Sequence, residues 1–249
     1  MNRLPDQSKQ YRFLKYNNNW FLRAITSKRY NNYDNHIAIY TTLVALDNYA
    51  DVNNKKLFVG DSYLTDSEIK LNIHEDYFYI VDEDVYVQFG FFTSNNELTE
   101  GAFSLELSYK VFNLKTEKFK GLSNYIFNFP HTISLEKLEK EFLLAKNIEE
   151  FKQEIIKFIK QIYEEELSEN QIYSIFKEIT STKNKLHQET KLEAEKIKDE
   201  SVGNKINLLE LFERLNEIIV DVHEKIYLER IYHTLIKDIS SSTKPKIKQ

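Results

Sequence analysis

The sequence predicts an α+β fold in which an N-terminal hairpin, a helix and an antiparallel meander are followed by a helical C-terminal half. This prediction rests on the spacing of the apolar residues. Their period changes from two to about 3.6 at Asp34, returns to two between Lys56 and Leu114, and becomes helical again after Pro130. Strands grouped ahead of helices are typical of α+β proteins.

The first two strands are predicted in the segment QYRFLKYNNNWFLRAIT. Two runs rich in aromatic and β-branched residues surround residues 17–19, which are all Asn, and Asn tolerates the positive φ angles that tight turns need. We therefore predict a β-hairpin over residues 13–25. A strand that ends in Ala-Ile-Thr must place part of this end against the core, so we also expect Arg23 to be partly buried and hydrogen-bonded.

A helix over residues 35–49 is predicted next, with Asp34 or Asn35 as its N-cap. Between residues 56 and 114 apolar and polar residues alternate, which indicates an antiparallel meander. Polar segments at residues 82–84 and 94–100 are expected to form two of its turns.

The C-terminal half begins with a long predicted helix over residues 135–167, which carries an apolar stripe formed by Ile148, Phe151, Ile155, Phe158, Ile159 and Ile162. Ser168 and Gln171 form a capping box for the next helix, predicted over residues 171–179. Residues 181–204 are almost all polar, and the sequence leaves open whether they form a solvated helix or a flexible connection. One or two further helices precede a polar tail.

These patterns divide the chain at residue 130. We predict a β-rich half over residues 1–130 with a basic hairpin, a helical half over residues 131–240 packed on it, and a flexible tail over residues 241–249. No Gly/Ser/Pro-rich linker separates the two halves, so we expect them to pack together.

Composition excludes several kinds of chemistry. The 249 residues include no cysteine, which rules out disulfides, thiolate metal sites and a cysteine nucleophile. Only five glycines occur, and neither G-x-G-x-x-G nor the P-loop pattern is present, so we expect no nucleotide cofactor bound by those motifs, and no other cofactor is indicated. Without a signal-like start or an apolar run of about 20 residues, we expect a cytoplasmic protein with no membrane partner.

No catalytic or metal site emerges from the pattern of polar residues. Of the six histidines, only His223 and His233 share a helix with a suitably placed carboxylate, that of Glu229. Glu229 and His233 are one helical turn apart, but His223 lies six residues before Glu229 and is expected on another face of the helix. A charged helix with scattered histidines is the favoured interpretation, and we predict no bound metal and no enzymatic activity.

The first 33 residues are the candidate functional region because their charge differs from that of the remaining chain. They carry seven basic residues and one acidic residue, a net charge of +6 in a protein whose total is −5. Basic residues contact phosphates and exposed aromatic rings stack on unpaired bases. We therefore predict a nucleic-acid-binding site formed by Arg12, Lys15, Trp20, Arg23, Lys28, Arg29 and Tyr30. The alternative is a basic face that is only solvated.

The segment WFLRAITSKRYNNYDNHIAIYTTLVAL resembles the phage- and plasmid-borne family called domain of unknown function 932. The resemblance rests on an arginine in a strand, a Ser-x-x-Tyr segment and an asparagine before a helix, here Arg23, Ser27, Tyr30 and Asn35. Looser similarity extends over about residues 12 to 230. It implies a phage, prophage or plasmid setting in a bacterial cytosol and no known enzymatic activity.

These observations lead to two hypotheses about function. The first is a non-enzymatic accessory protein of a mobile element that binds nucleic acid, in particular one that binds or anneals single-stranded DNA. The second is an interaction protein that binds a host or phage protein, for example as a defence inhibitor, through its amphipathic C-terminal helices. Oligomerisation is left open by the sequence.

Overall fold

The computed structural model of this protein describes residues 9–30, 34–98, 102–132, 148–181 and 185–242. The first part of the predicted long helix, up to residue 147, lies outside these ranges. Residues 243–249 of the predicted tail also lie outside them. The described residues confirm the α+β fold class, with a hairpin, a helix, a meander and then helices along the chain.

The described elements follow one another as seven strands and six helices. The hairpin strands are β1 (Lys9–Tyr16) and β2 (Asn19–Ser27), followed by α1 (Asn35–Asn53). The meander consists of β3 (Leu57–Leu64), β4 (Glu68–Ile80), β5 (Val85–Asn96), β6 (Phe103–Asn113) and β7 (Thr116–Phe129). The C-terminal helices are α2 (Ile148–Glu164), α3 (Glu169–Ser181), α4 (Gln188–Ser201), α5 (Leu208–Glu217) and α6 (Val222–Ser242).

The predicted hairpin is confirmed. β1 and β2 pair in antiparallel orientation and form a two-stranded sheet of their own. The two central turn residues, Asn17 and Asn18, have φ angles of 48° and 64°. Positive φ at both positions is the backbone conformation of the tight turn that matches the twist of a hairpin, and Asn adopts it at low cost.

The predicted helix after the hairpin is also confirmed, although its N-terminus is capped in an unexpected way. Asp34 occupies the N-cap position with an extended backbone, but its side chain makes no capping hydrogen bond. The carboxylate of Glu97 instead accepts a hydrogen bond of 2.7 Å from the backbone N–H of Asn35. A carboxylate from a distant loop therefore satisfies one of the unpaired N–H groups at the start of α1.

The five-stranded sheet has the strand order β3-β4-β5-β6-β7, so each strand pairs with its neighbour in sequence. Side chains on both faces of β5 and β6 are mostly buried, and Val87, Phe89 and Phe91 are fully so. The predicted turn at residues 82–84 is present. The turn predicted from residue 94 begins later, because β5 continues to Asn96.

β7 extends the meander beyond its predicted end at Leu114. The turn between β6 and β7 is formed by Leu114 and Lys115, with φ angles of 48° and 69°. Neither residue is Gly or Asn, the types whose presence indicates such a turn. The strand pair could therefore not be recognised from turn residues.

The C-terminal helices largely follow the predicted pattern. The Ser168–Gln171 capping box is present, since the Ser168 N–H donates to Gln171 Oε1 at 2.9 Å and the Gln171 N–H donates to Ser168 Oγ at 3.4 Å. Within residues 181–204, for which the sequence left a helix and a flexible connection as alternatives, α4 forms a helix whose buried side consists of Thr190, Ala194, Ile197 and Ser201. α6 extends two residues into the predicted tail.

The chain forms two compact units. The first comprises residues Met1–His74, Phe91–Glu106 and Tyr125–Lys146, and it therefore includes the hairpin, α1 and β3. Within it, α1 packs on β5 through the rings of Tyr49 and Phe91, whose centroids are 5.1 Å apart. The hydroxyls of Thr42 and Thr93, 3.2 Å apart, form a buried hydrogen bond in the same layer.

The second unit comprises residues Glu75–Gly90, Leu107–Asn124 and Asn147–Gln249. Its core contains a cluster of rings in which Phe212 stacks on Tyr232 at 4.0 Å and meets Phe119 edge-on at 5.1 Å. Both units contain residues from before and after residue 130. The division of the chain into two halves at residue 130 stays a prediction. Among the described helices, none has the length and apolar character needed to cross a membrane.

Candidate nucleic-acid interface

The hairpin presents two faces that differ in their surroundings. Cross-strand pairs such as Lys15 with Trp20 and Phe13 with Leu22 place their side chains on the same side of the ribbon. We call the side that carries Tyr11, Phe13, Lys15, Trp20, Leu22 and Ile25 the aromatic face. The opposite face carries Arg12, Leu14, Tyr16, Phe21, Ala24 and Thr26. A β-bulge between Arg12 and Phe13 leaves Arg23 as the extra residue of β2.

The aromatic face is exposed along its full length. Its five large apolar side chains are each about half exposed or more, and Trp20 reaches 66%. The rings of Phe13 and Trp20 meet edge-on with centroids 6.5 Å apart. Contiguous apolar surface of this kind is uncommon on soluble proteins and is typical of interaction surfaces.

The opposite face is buried only near the base of the hairpin. Thr26 is 5% exposed, and Arg12 and Ala24 are half-buried. Towards the turn, Leu14, Tyr16 and Phe21 are exposed. The distal half of the hairpin therefore presents apolar and aromatic side chains on both faces.

Positive charge accompanies these rings. Residues 9–30 contain six basic side chains and no Asp or Glu. Lys9, Lys15, Lys28 and Arg29 are exposed. The ammonium of Lys15 lies 5.7 Å from the centre of the Trp20 ring, a distance at which a cation is attracted to the electron-rich ring face.

The two other basic side chains of the hairpin, those of Arg12 and Arg23, bind groups beside its base. Arg12 Nη2 donates to the Asp34 carboxylate at 2.7 Å, and its Nη1 donates to the backbone carbonyl of Glu97. Arg23 Nη1 donates to the Glu97 carboxylate at 3.3 Å, and its Nη2 donates to the backbone carbonyl of Asp66. The side chains of Arg12 and Arg23 are 16% and 18% exposed. The expectation that Arg23 is partly buried and hydrogen-bonded is confirmed.

We call the contacts at the base of the hairpin the Glu97 anchor, because several of them involve Glu97. Its carboxylate binds both Arg23 and the N-terminus of α1, and its backbone carbonyl accepts from Arg12 and, at 3.2 Å, from the Tyr30 hydroxyl. The Tyr30 ring also stacks on His131 at 4.7 Å. These contacts join the base of the hairpin to the start of α1 and to the loop after β5.

The seven predicted site residues therefore separate into two groups. Lys15, Trp20, Lys28 and Arg29 are exposed, whereas Arg12, Arg23 and Tyr30 bind the Glu97 anchor. Tyr16 and Phe21 are not among the predicted site residues, but both are exposed, and the alternation of side chains along the strands places both on the opposite face. Glu97 could not be predicted from local sequence, because it follows Arg12 by 85 positions in the chain.

A second exposed apolar feature lies within the first unit, between α1 and β3. This groove has a volume of about 730 Å³. Its exposed apolar lining includes Tyr40, Leu43 and Val44 of α1 and Phe58 and Val59 of β3. β3 is an edge strand of the sheet, so the groove lies beside a sheet edge.

Three buried polar side chains of the second unit, those of His233, Tyr109 and Ser123, lie close together. His233 lies 3.3 Å from the Tyr109 hydroxyl through Nδ1 and 3.4 Å from the Ser123 hydroxyl through Nε2. Burial, assisted by the charge of Lys237, lowers the pKa of His233 to about 4. A serine next to a histidine can form a nucleophile–base pair, but this contact is long, both groups are buried, and so low a pKa makes a weak base. The arrangement fits packing better than catalysis.

The three candidate metal ligands, His223, Glu229 and His233, have different surroundings. His223 is exposed, whereas the buried carboxylate of Glu229 lies 3.4 Å from the ammonium of Lys120. Burial raises the pKa of Glu229, and the Lys120 charge partly opposes this shift. His233 faces Tyr109 and Ser123 instead. Within the part of the chain that the structure describes, no group of three His, Asp or Glu side chains is arranged to hold a metal ion.

A fully buried ion pair also belongs to the second unit. Lys152 Nζ binds Glu75, with both side chains 0% exposed, and it binds Glu149 at 2.8 Å. The same ammonium lies 5.7 Å and 5.6 Å from the ring centres of Tyr79 and Phe89. This lysine occupies a position in the apolar stripe of α2, and two carboxylates compensate for its burial.

Comparison with known proteins adds no further assignment. No protein-family model, curated protein or solved structure matches the chain. The resemblance to domain of unknown function 932 therefore stays a prediction from sequence.

Proposed function

We propose that this protein binds nucleic acid through the β1–β2 hairpin, as a non-enzymatic accessory protein that binds or anneals single-stranded DNA. The observation that carries the proposal is the combination of exposed rings and exposed cations on a segment that has no carboxylate. The phage, prophage or plasmid setting is also proposed, and it is supported by the sequence resemblance alone.

The chemistry of the aromatic face favours single strands. Every unpaired base has a flat face that can stack on an aromatic ring, and each such contact contributes about 1 to 3 kcal/mol. Tyr11, Phe13 and Trp20 provide exposed rings, and Lys15 lies next to them. In duplex DNA the base faces are covered by their neighbours, so these rings would find few partners there.

The charge distribution suits a weak or moderate binder whose affinity depends on salt. Lys9, Lys15, Lys28 and Arg29 are available to phosphates, whereas Arg12 and Arg23 are occupied by carboxylates and carbonyls. Outside residues 1–33 the chain carries a net charge of −11, which repels a polyanion elsewhere on the surface. Binding through the basic segment is therefore also expected to orient the protein on the strand.

The direct test is an anisotropy titration of a labelled single-stranded oligonucleotide at several salt concentrations. Replacing Lys28 and Arg29 by Gln should flatten the plot of log affinity against log salt by roughly 0.7 for each phosphate that the variant no longer binds. Trp20→Ala should weaken binding by about 1 to 3 kcal/mol and leave the slope nearly unchanged.

A matched control removes the same charge from another exposed surface. Lys160 and Lys177, on α2 and α3, are both exposed, and replacing both by Gln should leave the affinity and its salt dependence unchanged. If the unmodified protein does not bind the oligonucleotide even at low salt, the proposal is wrong.

A second candidate function is docking of a partner protein, and the groove between α1 and β3 favours it. In the described part of the C-terminal half, the exposed large apolar side chains are Tyr173, Leu192 and Val220, each on a different segment. The exposed residues of the groove are instead adjacent, which favours it over the C-terminal helices as the docking surface.

Crosslinking distinguishes this second candidate from the first. A photoreactive amino acid at Val44 should capture a partner at both low and high salt, while the same group at Val220 should not. Capture that disappears at high salt, or equal capture at both positions, would count against apolar docking in the groove.

A further inference from the structure

We infer that the preferred ligand of the hairpin is a junction at which a duplex separates into two single strands, with one strand on each face of the hairpin. This inference rests on the proposed function and names the class of nucleic acid for the same site. It follows from three features of the hairpin: rings on both faces, unequal charge on the two faces, and a fixed base.

The distal half of the hairpin has stacking surfaces on opposite sides. Phe13 and Trp20 lie on the aromatic face, and Tyr16 and Phe21 lie on the opposite face. All four are more than half exposed. One single strand needs only one of these surfaces, whereas the two strands that leave a duplex can occupy both.

The dimensions of the hairpin fit this arrangement. Strand residues advance about 3.4 Å each, so residues 13–16 provide a surface roughly 13 Å long, enough for about four nucleotides on each side at a spacing of about 3.4 Å. A β-ribbon with its side chains is about 10 Å thick. It would hold the two strands too far apart to pair.

The charges near the tip distinguish the two faces. Lys15 lies on the aromatic face beside Trp20, while the arginine of the opposite face, Arg12, is bound to Asp34 and Glu97. The strand on the aromatic face is therefore held by stacking and by charge, and the other strand chiefly by stacking. Salt should weaken the first contact more than the second.

The anchored base allows the tip to act as a fixed wedge. An isolated two-stranded hairpin is only marginally stable in water. Here Arg12 and Arg23 bind Asp34, Asp66 and Glu97, and these contacts restrain the base while leaving the distal rings exposed. Bases that unstack at a junction would find preformed stacking surfaces.

The experiment compares three labelled DNAs that share one sequence: a single strand, a blunt duplex and a forked duplex. We expect the fork to bind about tenfold or more tightly than the single strand, since it gains at least one additional base–ring stack. The blunt duplex should bind most weakly. Equal affinities for the fork and the single strand would overturn the inference and leave the proposed function intact.

Matched variants test the assignment of one strand to each face. Phe21→Ala with Tyr16→Ala should remove the preference for the fork and change single-strand affinity by less than about twofold. Phe13→Ala with Trp20→Ala should weaken binding to both DNAs by about 5- to 150-fold for each stacking ring removed. An equal loss on both DNAs from the opposite-face variant would contradict the inference.

Crosslinking tests the same assignment without the alanine variants, so that an effect of those variants on folding does not influence the result. A photoreactive phenylalanine analogue placed at residue 13 should crosslink one strand of the fork, and the same analogue at residue 21 should crosslink the other strand. Crosslinks from both positions to the same strand would overturn the inference. If none of the three DNAs binds, both the inference and the proposed function fail, and a protein ligand for the hairpin becomes the better explanation.

Discussion

The hairpin strands β1 and β2 and the central strands β5 and β6 are all rich in aromatic residues but lie in very different surroundings. Both pairs are antiparallel ribbons rich in aromatic residues. Phe89 of β5 is fully buried between the rings of Tyr79 and Tyr109, at 5.2 Å and 6.4 Å, whereas Phe21 of β2 is 51% exposed. The same side chain therefore contributes to the core in one ribbon and to the exposed surface in the other.

This comparison shows that aromatic content and alternation specify a strand but not its burial. A core strand can bury both faces because other elements cover it. Carboxylates from outside the hairpin, those of Asp34 and Glu97, bind Arg12 and Arg23 at its base. Its charge pattern, with several cations and no carboxylate over residues 9–30, is the feature that separates it from β5 and β6 in the sequence.

The largest expected difference between the two ribbons is the effect of deleting one aromatic ring. Phe89→Ala should lower the free energy of unfolding by about 3 to 5 kcal/mol, because it leaves a cavity among buried rings. Phe21→Ala should change it by less than about 1 kcal/mol. Urea unfolding of both variants measures the contrast, and equal losses would mean that the hairpin packs like the core.

A second difference between the two ribbons concerns how stability depends on pH. Tyr109 of β6 contacts the buried side chain of His233, whereas residues 9–30 contain no histidine. The pKa of His233 is lowered from 6.5 to about 4, so the unfolded chain takes up the proton first as the pH falls. The free energy of unfolding should therefore decrease between pH 6.5 and 4, with about 3 kcal/mol attributable to His233.

Unfolding by urea at several pH values tests this assignment. His233→Gln should remove that part of the pH dependence, and His223→Gln, an exposed residue on the same helix, should leave it in place. Identical pH profiles for the unmodified protein and the His233→Gln variant would show that burial does not suppress protonation of this side chain.

A substitution at Glu97 weakens the anchor at the hairpin base without changing any residue of β1, β2, β5 or β6. Glu97→Ala removes the carboxylate that binds Arg23 and caps α1. This substitution should lower the free energy of unfolding by about 1 to 3 kcal/mol. Trp20 is the only tryptophan in the chain, so its fluorescence anisotropy should fall as the hairpin becomes more mobile. Glu83→Ala, in an exposed turn, is the control, and an equal effect there would contradict the anchoring role.

The smallest effect is expected at the contact between Lys15 and Trp20. An exposed cation–ring contact contributes about 0.5 to 1 kcal/mol, so Lys15→Gln should change the free energy of unfolding by no more than this amount. The emission of Trp20 should nevertheless shift, because a charge 5.7 Å from its ring is removed. A decrease above about 2 kcal/mol would indicate that Lys15 has a structural role.

Much of the fold was determined by local sequence. The hairpin, α1, the strands from β3 to β6 and the Ser168–Gln171 capping box follow from residue spacing and turn residues, because these features depend on interactions between near neighbours. β7 could not be predicted in this way, since its turn places Leu114 and Lys115 at positive φ, where Gly or Asn is expected. Part of the candidate site was also predictable, because the charge and the rings of residues 9–30 are visible in the sequence.

Tertiary structure decided which of those charges and rings are available. Arg12, Arg23 and Tyr30 have the same residue types as a phosphate-binding site, but they bind Glu97, which is 67 to 85 positions away in sequence. The spacing of residues along a strand contains no information about such a partner. Burial likewise depends on which surfaces the folded chain brings together, and for this reason only the structure distinguishes the exposed rings of the hairpin from the buried rings of β5 and β6.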